Sequence, residues 1–149
     1  MKRRDLILTA LSLPLVAAPA YAAVPDMEVL KSPTCGCCSA WINHIENAGF
    51  TTKAYDVSQE MLWDAKARAG ITPELSSCHT AMIEGYVIEG HVPADDIKRL
   101  LSERPEALGL AVPGMPVGSP GMENADQRDS FDTLLVLSGG ASVVFQSHA

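Results

Sequence analysis

Apolar and polar positions follow two spacings along the chain, which predict short strands and amphipathic helices. Glu28-Val29-Leu30 predicts a short buried strand, and Pro33 ends it because proline has no N–H for a strand ladder. The next apolar side chains take the i, i+3, i+4, i+7 spacing of one helix face: Cys38, Trp41, Ile42 and Ile45. Residues 51–57 return to a β-branched and aromatic strand composition. The chain therefore opens with a strand, a helix and a second, parallel strand.

The remaining pattern completes an α/β fold. A helix over 59–69, capped by Ser58 or Asp56, precedes a hairpin of strands 80–84 and 86–88, and Pro93 opens a third helix that ends near residue 104. Residues 108–127 are rich in Gly, Pro, Met and Ser and predict a long loop, and a C-terminal hairpin follows over 132–137 and 142–145. This order predicts one thioredoxin-like domain, with a mixed sheet flanked by helices.

The first 22 residues carry the pattern of a cleavable signal peptide. A basic start, Lys2-Arg3-Arg4, precedes an apolar stretch over 6–18 and the cleavage signature Ala20-Tyr21-Ala22. The apolar stretch is shorter than the ~20 residues of a membrane-spanning helix and contains Pro14. We therefore expect export to the periplasm, a mature domain over 23–149, and no stable membrane association.

The acidic charge excludes some partners, and the motifs that are missing exclude some reactions. Without the signal peptide the chain has 8 basic and 17 acidic residues. Such a surface repels nucleic acids and anionic membranes. The sequence has no glycine-rich phosphate loop, no Ser-His-Asp order and no HExxH helix, so it gives no support to ordinary hydrolase chemistry.

The candidate chemistry lies in the cysteines. Cys35, Cys37 and Cys38 stand where the first strand passes into the first helix, and a helix N-terminus favours thiolate. In the predicted fold the loop before the third strand lies opposite this turn, so Cys78 and His79 can approach the three thiols. A cluster of thiolates with an imidazole matches the preference of Cu(I) for soft ligands.

Three alternatives to copper remain open from the residues alone. Zinc accepts four thiolates, or three thiolates and an imidazole, although this cysteine spacing is not usual for zinc. Cys35 and Cys38 have the CxxC spacing of a thiol–disulfide oxidoreductase. Two structural bridges, Cys35–Cys38 and Cys37–Cys78, are the third alternative, since an exported domain can form disulfides.

The long loop and the histidines supply further candidate ligands. Met115 and Met122 carry thioethers, which bind Cu(I) and cannot be lost to disulfide formation, although a buried methionine can equally fill a gap in the core. Among the histidines, His79 is the best candidate. We expect His44 on a solvated helix face, His91 in a capping or surface role, and His148 in a fraying tail.

The motifs together resemble the periplasmic CopG proteins of copper resistance. The resemblance rests on SPTCGCCSAW, SSCHTA, GYVIEGHVP, AVPGMPVGSPGME and the last apolar hairpin, which span nearly all of the mature chain. It implies a thioredoxin-like fold and the binding of one or more Cu(I) ions by Cys35, Cys37, Cys38 and Cys78. It also implies a role in handling excess copper, with sequestration or transfer of Cu(I) and interconversion of Cu(I) and Cu(II).

The resemblance also bears on other residues and on enzymatic activity. His79, Met115 and Met122 are implied as additional ligands, and other periplasmic copper-handling proteins as partners. The chain lacks the Trp-Cys-Gly-Pro-Cys pattern of thioredoxins and has Ser77-Cys78 where they place a cis-proline. These departures favour a metal-binding protein over a general disulfide oxidoreductase, and a copper oxidoreductase remains the enzymatic alternative.

Overall fold

The computed structural model describes residues 26–149, so the predicted signal peptide and its cleavage site lie outside the described residues. In this part of the chain, strands and helices follow in the order β1 Asp26–Lys31, α1 Gly36–Asn47, β2 Thr51–Asp56, α2 Gln59–Arg68, β3 His79–Ile83, β4 Tyr86–Gly90, α3 Ala94–Glu103, β5 Gly109–Val112, β6 Phe131–Val136 and β7 Ser142–His148. None of the helices described over 26–149 is long and apolar enough to cross a membrane.

All seven described strands belong to one mixed sheet, in the order β2-β1-β3-β4-β5-β6-β7. The pairs β1–β2 and β4–β5 are parallel, and α1 and α3 supply the crossovers that parallel neighbours require. The other four pairs are antiparallel, including the C-terminal hairpin of β6 and β7. The predicted α/β fold with a mixed sheet is therefore confirmed, while its thioredoxin-like classification stays a prediction.

Both faces of the sheet are covered. On one face, Trp41 and Ile45 of α1 and Ile97 and Leu100 of α3 pack in one core cluster with Ile88 of β4. Val87, the preceding residue, belongs to a second cluster with Ile71 and Leu75, which follow α2. Because successive side chains of a strand point to opposite faces, the two clusters lie on opposite sides of the sheet.

A side chain accepts a backbone N–H in the first turn of each of the three α-helices. Cys35 is the N-cap of α1 and Ser58 that of α2, where the Ser58 hydroxyl accepts the N–H of Met61 at 3.2 Å. Pro93, which precedes α3, has no capping group. His44 takes over that task, since its Nε2 accepts the N–H of Ala94 at 3.2 Å. The expected solvated position of His44 is therefore wrong: it is half-buried and holds α1 against α3.

Two other sequence predictions are wrong. Residues 109–112, which we expected in the long loop, form the buried strand β5, so the loop itself spans residues 113–130. Strand β5 pairs with β4 and β6 on its two sides, and this pairing gives four residues a stable position in the sheet. His148 does not lie in a fraying tail, because it ends β7 and its Nε2 lies 2.9 Å from Oδ2 of the buried Asp96.

Candidate metal centre

The candidate centre lies at one edge of the sheet because four strand ends meet there. Strand β1 runs antiparallel to β3 with Lys31 opposite His79, so the turn after β1 lies beside the residues that precede β3. Strand β5 runs parallel to β4 with Val112 beside Gly90, so the segments after both strands leave the same edge. The cysteine turn, Cys78, His91 and the long loop are thereby brought together.

The four cysteine sulfurs form one cluster. Cys35 and Cys38 are joined in a disulfide, and Cys37 and Cys78 are free thiols. The Sγ of Cys37 lies 3.5 Å from that of Cys35 and 3.8 Å from that of Cys78, and Cys78 Sγ lies 3.5 Å from Cys38 Sγ. All four Sγ atoms lie within 4.8 Å of one another. Cys38 is buried and the other three are half-buried, so the cluster has a solvent-facing side.

A second group of donors shares Cys78 with the first. Its Sγ lies 3.4 Å from Nδ1 of His79 and 3.1 Å from Nε2 of His91, and the donor atoms of these three residues again lie within 4.8 Å of one another. His91 is fully buried. The expectation that it caps a helix or lies on the surface is therefore wrong.

The register of the β3–β4 hairpin explains the position of His91. Thr80 pairs with Glu89, and Cys78 and His91 each lie two residues beyond this last pair, at the same end of the hairpin. The predicted hairpin around Gly85 contained this information. A histidine that directly follows a strand gives no periodic signal of its own, so only its distance from the hairpin turn indicates this position.

The Pro120 carbonyl orients the imidazole of His91. Nδ1 of His91 lies 2.8 Å from this oxygen, and because a carbonyl only accepts hydrogen bonds, Nδ1 carries the proton. In the neutral ring the lone pair of Nε2 then faces Cys78 Sγ. Metal-binding histidines are commonly held in this way by a second hydrogen bond on the other nitrogen.

Burial keeps both imidazoles neutral. It lowers the pKa of His91, and it holds the pKa of His79 well below its usual range, with the neighbouring His91 and Lys66 acting in the same direction. A neutral imidazole is the form that binds metals. Burial, and to a lesser extent the nearby Cys37, raises the pKa of the Cys78 thiol to about 12. A bound cation would reverse that effect, since coordinating thiols lose their proton.

Trp41 forms the inner wall of the centre. Its indole N–H donates to the Val92 carbonyl at 2.9 Å, and its ring centre lies 4.3 Å from that of His79. The ring of His79 is in turn edge-on to that of His91, at 5.2 Å. Within residues 26–149 the buried Nε2 of His79 finds no hydrogen-bond partner, so this ring has an unused polar atom.

The long loop reaches the centre through its backbone. The Gly114 N–H donates to the Ser76 carbonyl at 3.0 Å, and Pro120 accepts from His91. Gly121 lies so close to α1 that a Cβ there would come within 2.8 Å of the Cys37 carbonyl oxygen. Met115 is 52% exposed and Met122 is half-buried. The role of the two thioethers as ligands stays a prediction.

The chain is similar to known proteins in sequence and in fold. Residues 75–122 match a family described as "Protein of unknown function, DUF411". Two solved structures, copper resistance protein CopG form 1 and form 2, are each 40% identical to the chain. Form 1 matches 83% of this chain and 96% of its own with a TM-score of 0.76, and form 2 matches 84% and 98% with a TM-score of 0.77. No curated protein matches the chain.

Proposed function

The chain belongs to the family of the copper resistance protein CopG, and from this premise we propose that it binds Cu(I) through Cys35, Cys37, Cys38 and Cys78. The observation that carries the proposal is the convergence of four sulfurs and two imidazoles at one edge of the sheet. Soft thiolates favour Cu(I), and imidazole suits copper in either oxidation state. We place this activity in the periplasm because of the predicted signal peptide.

The spacing of the sulfurs fits binding to shared metal ions. Two sulfurs on one ion, each at the ~2.3 Å of a zinc–thiolate bond, lie at most about 4.6 Å apart, and we take this as the scale for a metal–thiolate cluster. The Sγ–Sγ distances are 3.5 Å for Cys35–Cys37, 3.8 Å for Cys37–Cys78 and 3.5 Å for Cys38–Cys78, and all three are within that limit. Cys78 belongs to both donor groups, so its thiolate can bridge two ions, and we expect more than one Cu(I) per chain. Met115 and Met122 remain candidate additional ligands from the loop.

Full loading with copper requires the disulfide to be reduced first. Breaking the Cys35–Cys38 bond takes two electrons and two protons, which an external dithiol reductant supplies, and leaves two thiols. The bridge closes a loop of only four residues, for which loop-closure entropy gives about 2 kcal/mol of stability. The reduced protein should therefore keep its fold.

The donor set and its exposure also support the finer parts of the proposal. Thiolates stabilise Cu(I), whereas His79 and His91 add donors that Cu(II) also accepts, so the site suits interconversion of the two ions. The half-buried Cys35, Cys37 and Cys78 allow an incoming ligand to reach the metal, as transfer to another periplasmic copper-handling protein requires.

Titration of the reduced protein, residues 23–149, with Cu(I) against a competing chromophoric chelator tests this function. We expect tight binding, with Cys37→Ser and Cys78→Ser each weakening it by about tenfold or more, which is about 1.4 kcal/mol. Met61→Leu is the matched control, because it removes an exposed sulfur on α2. Binding that is absent, or that both cysteine variants retain unchanged, would contradict the proposal.

The Cys35–Cys38 disulfide supports a second candidate, a thiol–disulfide oxidoreductase. The bridge lies at the start of α1, and Cys35 is half-buried, so one of its sulfurs is open to attack by a substrate thiol. This function predicts disulfide-exchange activity that survives both Cys78→Ser and complete removal of metal. If the protein binds copper but shows no such activity, only the first proposal remains.

A further inference from the structure

Lys66 and Glu89 form a buried ion pair next to the residues that flank Cys78 and His79. Lys66 of α2 and Glu89 of β4 are 4% and 0% exposed, and the Lys66 ammonium donates to Oε1 of Glu89. Lysine and glutamate are almost never fully buried unless they are paired. Neither residue contacts the thiols in any described hydrogen bond, so neither is a candidate ligand. Their position suggests a different task.

The Glu89 carboxylate accepts hydrogen bonds from the residues on both sides of Cys78 and His79. Its Oε1 accepts the N–H of Ser77 at 2.6 Å, and its Oε2 accepts the hydroxyl of Thr80 at 2.7 Å. Lys66 donates to the same hydroxyl at 2.9 Å. The two residues that carry donor atoms are thus bracketed by two residues fixed to one carboxylate.

The same network extends to the long loop. The Ser77 hydroxyl donates to the Gly114 carbonyl, and the Gly114 N–H donates to Ser76. A shift of Ser77 would therefore move Cys78 and the loop that follows β5 together. This coupling links the carboxylate to both sides of the centre.

Stability alone does not explain a pair at this position. Two charges lose their hydration when they are buried, and apolar side chains of similar size commonly replace such pairs with no loss of stability. An apolar pair would, however, leave the Ser77 N–H and the Thr80 hydroxyl without their acceptor. We propose that Glu89, held by Lys66, is a positioning residue that fixes Cys78 and His79 in the geometry that binds copper. This inference rests on the function proposed above.

Two double variants separate positioning from stability. Lys66→Met/Glu89→Leu removes the charges and every hydrogen bond of the carboxylate. Lys66→Met/Glu89→Gln also removes both charges but keeps an oxygen that can accept the Ser77 N–H. Lys53→Met/Asp26→Leu is the control, since it removes an exposed ion pair between β1 and β2. All three are compared with the reduced wild-type chain in Cu(I) competition, chemical denaturation and amide hydrogen exchange at residues 77–79.

We expect the leucine variant to bind Cu(I) about tenfold more weakly, the usual scale for losing a group that orients a metal ligand. Its amides at 77–79 should exchange faster even without metal. The glutamine variant and the control should stay within about threefold of the wild type in affinity. A purely structural pair predicts instead that affinity follows the free energy of unfolding in all variants.

Unchanged affinity and exchange in the leucine variant would overturn the inference. Thr80→Val gives a milder version of the same test, because it removes one hydroxyl and keeps the charge pair, so the test does not depend on the leucine variant folding. Its amides at 77–79 should also exchange faster, and unchanged exchange would count against the proposal. A wild-type chain that fails to bind Cu(I) would overturn the proposed function, while the exchange experiment would still decide the positioning role.

Discussion

His91 shows how one hydrogen bond prepares a side chain for a metal. Without the Pro120 carbonyl, a neutral imidazole could carry its proton on either nitrogen. With it, Nδ1 is the donor and Nε2 turns its lone pair to Cys78 at 3.1 Å. The imidazole is also fully buried, so it does not have to be immobilised when a metal binds.

Replacing His91 with alanine should weaken Cu(I) binding by about tenfold or more, about 1.4 kcal/mol, because one oriented donor is lost from the group that contains Cys78. The measurement is the chelator competition used for the cysteine variants. His44→Ala is the matched control: it removes a histidine that caps α3, at about 1 kcal/mol of stability, without touching the thiols. Equal losses of affinity in both variants would show that His91 acts through stability alone.

The β3–β4 hairpin is the element from which most of the centre could be predicted. Its turn at Glu84-Gly85 is visible in the sequence, and the hairpin brings Cys78 and His91 to the same end of the sheet. The cysteine turn at the start of α1 was equally visible, since Pro33 ends the strand and the apolar spacing begins at Cys38. These are local signals, and local signals are what a sequence pattern records.

Other elements could not be predicted because their stability comes from distant neighbours. Strand β5 has four residues, and only its pairing with β4 and β6 distinguishes it from the glycine- and proline-rich loop. Lys66 occupies a buried helix position that its charge would assign to solvent, and only Glu89, 23 residues later, compensates for that charge. Contacts between residues that are far apart in sequence do not produce a periodic pattern of apolar and polar positions.

In the loop over residues 113–130, two glycines should differ in how much stability the protein loses when each is replaced by alanine. Gly121 and Gly114 both have positive φ, +84° and +68°, so alanine is strained by about 1–2 kcal/mol at either position. Only at Gly121 would the new Cβ come within 2.7 Å of the Trp41 nitrogen, whereas at Gly114 it meets nothing within 4 Å. Gly121→Ala should therefore lower the free energy of unfolding by about 1–3 kcal/mol more than Gly114→Ala, as chemical denaturation would measure.

The Gly121→Ala variant should also bind Cu(I) more weakly, because the adjacent Pro120 would be displaced from His91. Gly114→Ala serves as the control for backbone strain without a clash. Similar losses of stability in the two variants would mean that the loop does not pack against α1 in solution.

On the scale of the whole molecule, three histidines make metal-free stability depend on pH. Burial lowers the pKa of His44, His79 and His91 in the folded state, so below about pH 6.5 the unfolded chain binds more protons than the folded one. The contribution of these histidines to the free energy of unfolding should therefore be fully present above about pH 6.5 and be lost as the pH falls below it.

Urea denaturation of the metal-free protein at pH 7.5 and pH 5.0 would measure this dependence. His91→Asn should flatten it, since one of the three protonation steps is removed. A free energy of unfolding that is the same at both pH values would contradict the buried, neutral state of these imidazoles.

The separation of the donors along the chain has a consequence for the order of events during synthesis. Cys38 and Cys78 are 40 residues apart, and Pro120 follows His91 by another 29. A chain that emerges N-terminus first therefore exposes its cysteine turn long before the hairpin and the loop exist. Because a site assembled from distant segments forms only with the fold, the free energy of metal binding becomes free energy of folding. Copper that binds the complete donor set would thus favour the folded protein over partly folded forms, which offer only part of that set.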